Sequence, residues 1–457
     1  MQNSGTTLGL ASPSPRLRAW SVSPFSALLA MIGPGTRAGM VSLADQAVVS
    51  AVSFITTVIV ARACSRDDLG VYYLALTLVF LARGIQMQLI FAPYTVYCHR
   101  RSGAARASYA GSVLLHQIAM LVVAAMGLGV AAGVMAAGVG PAGLTTVMAV
   151  LVVALPILLL REFNRNFSLA HLHIVVATVT DAALGALQLG GLAVLWYFHA
   201  LSIPAVFAVM GLTAAVVCGG WFLSQRHNTW HFDRAATLRD WRGNWSFARW
   251  ALAGHLVGCT TPHVMPWILA AVCGQGAVAL FGACGTLAGL ANVFVMGLSN
   301  LLSPMTARAY TEQGVTGLCR ILRKATVVYT TLIGGFCLLS AVAGDFIVTC
   351  VYGNRYSGGG PVLTVLGVSV LGIALGIVAG NGLWAMDRPR ATFATGILSL
   401  AVTLVAAAIC IPVWGAMGAA VATATGMVVG AAGNWIALLR LLRQTRQEPL
   451  LNNLISL

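Results

Sequence analysis

From Met40 onward the sequence runs as a train of apolar blocks about twenty residues long, parted by short segments that hold nearly all of its charge. That spacing constrains the fold more than any other feature. A helix of about 20 apolar residues crosses the hydrocarbon core of a bilayer. Only 8% of the residues are charged, against about 25% in a soluble domain. So little charge cannot cover a water-facing surface, but it suits a lipid-facing one. The 50 glycines fit helices that pack closely in lipid. The sequence predicts an all-α integral membrane protein.

Twelve spans are expected, at 41–61, 70–91, 109–131, 141–160, 174–198, 203–223, 249–272, 277–301, 325–344, 360–384, 391–411 and 415–438. The gaps at 199–202, 273–276 and 412–414 are short enough to force antiparallel hairpins. Of the 26 Lys and Arg, 22 fall in segments on one side, while Arg62, Arg66 and Arg355 fall on the other and Arg83 lies within a span. By the positive-inside rule both termini are then cytoplasmic. A miscounted span would invert every later loop and destroy this asymmetry. Topology thus accounts for the net charge of +15, and no nucleic-acid partner is needed.

The chain divides into two halves. Residues 1–39 read as a disordered cytoplasmic tail, 40–223 as a six-helix bundle, 224–248 as a cytoplasmic linker, 249–440 as a second six-helix bundle, and 441–457 as a cytoplasmic tail. The segments after the first and seventh spans resemble each other in order. Each following span ends in a Pro-containing piece, Ala92-Pro-Tyr94 or Ser303-Pro-Met305, that leads into a basic loop. Six spans per half give a parallel repeat about an axis along the membrane normal.

Ionisable residues inside spans cost several kcal/mol and are functional candidates by default. They are Asp45, Arg83, His116, Asp181, His255 and His263. Helical spacing gathers Gln46, Ser50, Ser53 and Thr57 on one face of the first span. It does the same for Tyr72, Leu76, Val79, Arg83 and Gln86 in the second, and for Asn292, Met296, Ser299 and Ser303 in the eighth. Two readings stand for such stripes. They line a hydrated central cavity between the halves, or they are packing faces. Asp45 reads as a cavity residue or as a helix cap. Arg83 reads as a ligand contact or as an ion pair with Asp45 or Asp181. His255 and His263 read as a proton relay or as core groups. Pro262 and Pro266 are expected to kink the seventh span.

Enzyme chemistry is poorly supplied. On the side opposite the termini stand only Asp67, Asp68 and Asp345, in short loops, and no phosphate-binding Gly-rich loop occurs. The ten cysteines are scattered, so neither a metal site nor a disulfide framework is indicated. No cofactor is expected.

Several segments carry a resemblance. They are Leu43-Ala-Asp-Gln-Ala-Val-Val-Ser50, Phe54 to Arg62, Asp68-Leu-Gly-Val-Tyr72 and Gln86-Met-Gln-Leu-Ile-Phe-Ala-Pro93. In the second half they are Val351-Tyr-Gly-Asn-Arg-Tyr356, Leu383-Trp-Ala-Met-Asp-Arg-Pro-Arg390 and Ile411 to Ala420. In order and spacing the chain resembles the polysaccharide-biosynthesis flippase family of the multidrug/oligosaccharidyl-lipid/polysaccharide exporter superfamily. It departs from the family pattern at Ser53, where the family has Asn, and at Ser65 to Gly70, where the family is more acidic. The resemblance implies two six-helix bundles around a central cavity in a bacterial inner membrane. It implies export of a polyprenyl-diphosphate-linked oligosaccharide by alternating access, with membrane lipids and polysaccharide polymerase machinery as partners. The alternative within the same fold is a proton- or cation-coupled multidrug exporter. On the flippase reading Arg83 binds the diphosphate, since a guanidinium fork matches phosphate oxygens. Gln46, Gln86 and Asn292 would then bond sugar hydroxyls. Asp45, Asp181 and His255 would serve as coupling groups or ion pairs.

Overall fold

The computed structural model describes residues 36–138, 140–141, 143–224 and 230–455, with side chains from Asp45 to Thr445. The expected N-terminal tail lies outside the described residues up to position 35. The first six helices are α1 Thr36–Ala63, α2 Arg66–Gln86, α3 Gly103–Ala136, α4 Leu144–Ala170, α5 Ile174–Tyr197 and α6 Ile203–Ser224. Then come α7 Arg234–Cys273, α8 275–313, α9 315–352, α10 Gly360–Ala385, α11 389–414 and α12 416–455.

By length and hydropathy alone there are ten candidate membrane helices among the described residues. Two of them double back. The backbone breaks at Gly314 (φ 62°, ψ −151°) and at Gly415 (φ 53°, ψ −124°), conformations open almost only to glycine. A Cβ on Gly418 would collide with the carbonyl of Cys410, and one on Gly317 would meet the carbonyl oxygen of Ala309 at 2.7 Å. In a straight helix residues eight apart stand about 12 Å apart, so the chain must reverse at both glycines. Beyond the second turn Asn434 Oδ1 accepts from the Thr395 hydroxyl at 2.5 Å, and the Gly426 carbonyl accepts from Ser399 at 2.7 Å. Beyond the first, Tyr329 donates to the Val295 carbonyl at 3.1 Å. The expected all-α architecture of twelve spans is thus present, in two lobes.

The span limits differ from expectation in several places, among them the twelfth helix, which continues to position 455 rather than ending at 438 and so takes in most of the expected C-terminal tail. The fourth helix runs on to Ala170 rather than stopping at 160. The seventh begins at Arg234 rather than 249, and its 40 residues extend roughly 60 Å. The segment expected as a loop at 302–324 is helical on both sides of Gly314. Pro262 and Pro266 both lie within a continuous α7.

Local chemistry explains the main elements. Ser65 opens α2 with a capping box: the Asp68 N–H donates to Ser65 Oγ and the Ser65 N–H to Asp68 Oδ2, both at 3.1 Å. At the far end α2 widens into a π turn over Met87–Phe91 before continuing as Ala92–Tyr97. Pro93 explains the widening, because its ring would otherwise strike the carbonyl four residues back. Large side chains such as Val123, Val130, Val342 and Ile409 stay exposed, as a lipid-facing surface requires.

The two ends of the molecule differ. At the end poor in arginine, the lobes are joined by hydrogen bonds from α1 and α2 to α8, α9 and the turn after α9. Arg62 donates to the carbonyls of Cys350 and Val351 (2.5 and 2.8 Å), Arg66 to that of Gly276 (2.9 Å), and Arg355 to that of Cys64 (3.0 Å). Two turns deeper, the Tyr73 and Thr286 hydroxyls meet at 2.8 Å. At the arginine-rich end, the leading part of α7 crosses onto α3. Asp240 pairs with Arg101 at 2.8 Å, and Asn244 accepts from Tyr109 at 2.8 Å.

Candidate functional site

The extended α4 carries Arg161, Glu162 and Arg165 into the body of the first lobe. Helical spacing aims them at α1, α2 and α5, and six charged groups form an alternating chain. Arg83 Nη2 on α2 reaches Glu162 Oε2 at 2.7 Å. Arg161 bridges Glu162 at 3.2 Å and Asp181 on α5. Arg165 then donates from Nε to Asp181 Oδ2 and from Nη2 to Asp45 Oδ2 on α1, each at 2.6 Å. Three guanidinium and three carboxylate groups balance to zero. Asp45, Glu162 and Asp181 are buried. Each such charge would be untenable alone, and each survives because its neighbours neutralise and hydrogen-bond it.

Arg83 ends this chain and is its least enclosed cation, with about a third of its side chain accessible. It faces a pocket of about 330 Å³ lined also by Gln86, Gln88, Glu162, Asn166 and His255. The π turn after Gln86 brings Met87, Gln88 and Phe91 into the same lining, and such turns recur at functional sites. His255 enters from α7 of the other lobe. It rests on Gly84, where any Cβ would strike its ring, and its Nε2 has no partner among the described residues.

The sequence candidates therefore separate. Arg83, Gln86 and His255 share one pocket. Gln86 is fully buried, and its amide donates to Gln117 at 2.9 Å and to the Leu159 carbonyl at 2.7 Å, which leaves Oε1 without a partner. Asp45 and Asp181 sit deeper, joined through Arg165. Gln46 is exposed on α1, with its amide 3.4 Å from Ser50. Asn292 on α8 has a buried, unpartnered Oδ1 and does not line this pocket. His116 bonds the Thr237 carbonyl at 3.0 Å, a packing role. On α2, Tyr72, Leu76 and Val79 lie in the core, so that stripe is a packing face that opens at Arg83. The sequence reading missed Glu162, the actual partner of Arg83, together with Arg161 and Arg165. Ending the fourth span at 160 had placed all three in a loop. A signal was available: Glu162 and Asn166 are i, i+4, and the Asn166 amide does reach Glu162, at 3.2 Å.

A second cavity, of about 760 Å³, lies on the opposite face of α2. It is lined by apolar groups such as Leu81, Ile85 and Met120, with Trp241 and Trp245 from the leading part of α7. Among the described residues no cluster of three or more His, Cys, Asp or Glu could hold a metal.

Two lobes of six helices, with a charged pocket in the first, can be set beside known structures. An inward-facing multidrug resistance MATE family transporter of the MOP superfamily superposes with a TM-score of 0.69 at 14% identity, over 90% of this chain and 96% of that one. The lipid II flippase MurJ in an inward closed conformation gives 0.70 at 12% identity, over 87% of each chain. The fold is that of the MOP superfamily transporters. A MOP superfamily transporter from Pyrococcus furiosus, described by a reverse polarity of its binding pocket, gives 0.62 at 13% identity over 89% and 95%. No family model matches the sequence, and no curated protein matches it. The MOP-type fold makes this a multi-pass membrane protein, and its structural neighbours are transporters rather than enzymes.

Proposed function

We propose that this chain is a non-enzymatic transporter that moves a polyprenyl-diphosphate-linked oligosaccharide across a bacterial inner membrane for surface polysaccharide assembly, by alternating access. The observation that carries this reading is Arg83, a partly open guanidinium at the end of a neutral charge chain, facing a polar pocket. Arg83 can turn to a phosphate without orphaning Glu162, because Glu162 keeps Arg161 at 3.2 Å and Arg165 at 3.9 Å. A planar fork suits phosphate oxygens better than a point charge does. His255 and Gln88 stand ready to bond the same headgroup. The MOP-type fold and its similarity to a lipid II flippase support the substrate class. The arginine-rich end is the cytoplasmic one on this reading, and polysaccharide polymerase machinery is the expected partner.

A second reading, a proton- or cation-coupled drug exporter, draws support from the similarity to a MATE transporter. It needs a carboxylate free to meet a cation. Asp45, Glu162 and Asp181 are each already paired with arginine, which favours the anionic substrate.

The deciding experiment is deletion of the gene. The first reading expects lipid-linked repeat units to accumulate on the cytoplasmic leaflet, with unchanged drug susceptibility. Normal surface polysaccharide together with drug hypersensitivity would reverse the order of the two readings.

A further inference from the structure

The second lobe holds a cavity of about 660 Å³ that the charged pocket does not account for. Its walls come from α8, α10, α11 and α12, and the side chains on them include Asn300, Ser303, Asn381, Trp384, Thr395 and Asn434. None of the lining residues is charged. That separates it from the Arg83 pocket, and its polar groups separate it from the apolar groove beside α2. We propose that this cavity is a binding site for neutral sugar units, holding the glycan of the transported lipid while Arg83 holds its diphosphate. The assignment rests on the proposed lipid-linked substrate.

The chemistry of the wall selects the ligand. A phosphate or acidic sugar would find no cation there, and a cationic drug would find no carboxylate. An acyl or polyprenyl chain would bury amides and hydroxyls without partners, a desolvation cost with no return. A neutral polyol satisfies them. Part of the wall is already fixed by internal bonds. Asn434 accepts from Thr395 at 2.5 Å and donates to the Gly376 carbonyl at 3.3 Å. Trp384 donates its indole N–H to Thr392 at 3.0 Å, which orients a largely exposed ring. Its face can then meet the apolar side of a pyranose, as amphipathic aromatic rings do. Another part is uncommitted. The side chains of Ser299, Asn300 and Ser303, adjacent on one face of α8, have no hydrogen-bond partner among the described residues. Donors and acceptors are thus both present, held rigidly on one wall and free on the other. The volume falls in the range of ligand sites, roughly 300–1,000 Å³. The eighth-span stripe of the sequence ends at Ser299 and Ser303, and this cavity gives those two residues a role.

Gly396 provides a test that spares folding. A Cβ there meets no atom within 4 Å, and leucine is a better helix former than glycine. Gly396→Leu therefore fills the cavity from an open wall. The protein, reconstituted in nanodiscs, is titrated with a polyprenyl diphosphate bearing a neutral disaccharide and with the same lipid lacking sugar. The wild type should bind the sugar-bearing lipid at least about tenfold more tightly. Gly396→Leu and Asn300→Leu should erase that preference and leave the sugar-free lipid bound as before. Equal wild-type affinity for the two lipids, or an unchanged preference in both variants, overturns the sugar site while the diphosphate reading stands. If the wild type binds neither lipid, the proposed substrate fails, and the free neutral disaccharide decides the cavity by itself. Binding of that disaccharide that Gly396→Leu abolishes upholds a sugar site, and no binding overturns it.

Discussion

At the residue scale, the first lobe is governed by six charges that have no independent existence. Arg165 alone holds both Asp181 and Asp45. Arg165→Met should therefore cost about 3–5 kcal/mol, because buried Asp45 loses its arginine partner and Asp181 is left with Arg161 alone. The loss should appear as a lower melting temperature in detergent. Adding Asp45→Asn should recover part of it, since the uncompensated charge is then gone, while Asp181 keeps Arg161. Arg83 is different, because it sits at the open end. Arg83→Ala should abolish transport with normal membrane insertion, measured as surface polysaccharide against protein level. Arg83→Lys should restore transport only in part, as it keeps the charge and loses the fork. Wild-type export by Arg83→Ala would make that residue a structural ion-pair partner and nothing more. Arg83 was legible in the sequence because a lone arginine in an apolar block is conspicuous. Its true partner was not, because Glu162 stands at the frayed edge of a hydropathy window, where only the three-dimensional length of α4 decides between loop and helix.

At the element scale, the two helix reversals and the cross-lobe arginines matter most. Gly415 turns α11 back into α12 with a backbone that a Cβ strains. Gly415→Ala should destabilise the protein by about 1–3 kcal/mol, readable in the same melting assay. The three arginines expected on the sparsely charged side are not stray charges. Each donates to backbone carbonyls of the opposite lobe. The carbonyls of Cys350 and Val351 end α9, where a helix dipole attracts a cation. Cys64 reports on this closure. It lies in the turn after α1, and burial, with a smaller contribution from Asp68, pushes its thiol up to about 11. A group raised this way is almost wholly protonated, and unreactive, at pH 8. Replacing Arg62 and Arg355 together with alanine should expose Cys64 and speed its labelling by a maleimide several-fold at that pH. Unchanged labelling would mean that the arginines do not hold this end shut. The hairpins at 199–202 and 412–414 were legible because so few residues leave no other connection. The start of α7 was not. Its segment from Arg234 to Arg249 is too polar for a span, and it is helical where Asp240 and Asn244 find Arg101, just ahead of α3, and Tyr109 on α3.

At the scale of the whole molecule, the uneven distribution of arginine anticipated twelve crossings before any contact was known, since each crossing alternates the side on which charge is tolerated. Sequence could not reveal how the polar residues would sort. Gln46, Gln86 and Asn292 looked equivalent along their helices. In the fold one is exposed, one is fully buried in a hydrogen-bond network, and one lies away from the Arg83 pocket. Burial depends on which helices become neighbours, and that is a long-range property.

The zero balance of the chain from Arg83 to Asp45 has an electrical meaning. A carrier whose binding groups sum to nothing brings no compensating charge back when it resets. A diphosphate headgroup leaving a negatively polarised interior would then be driven by the membrane voltage itself, by about 2.3 kcal/mol per elementary charge for each 100 mV. Under the proposed function, export should slow when a potassium ionophore collapses the voltage at constant pH, and it should persist when the proton gradient alone is removed. The neutral core of the first lobe would make the transported lipid its own source of driving force.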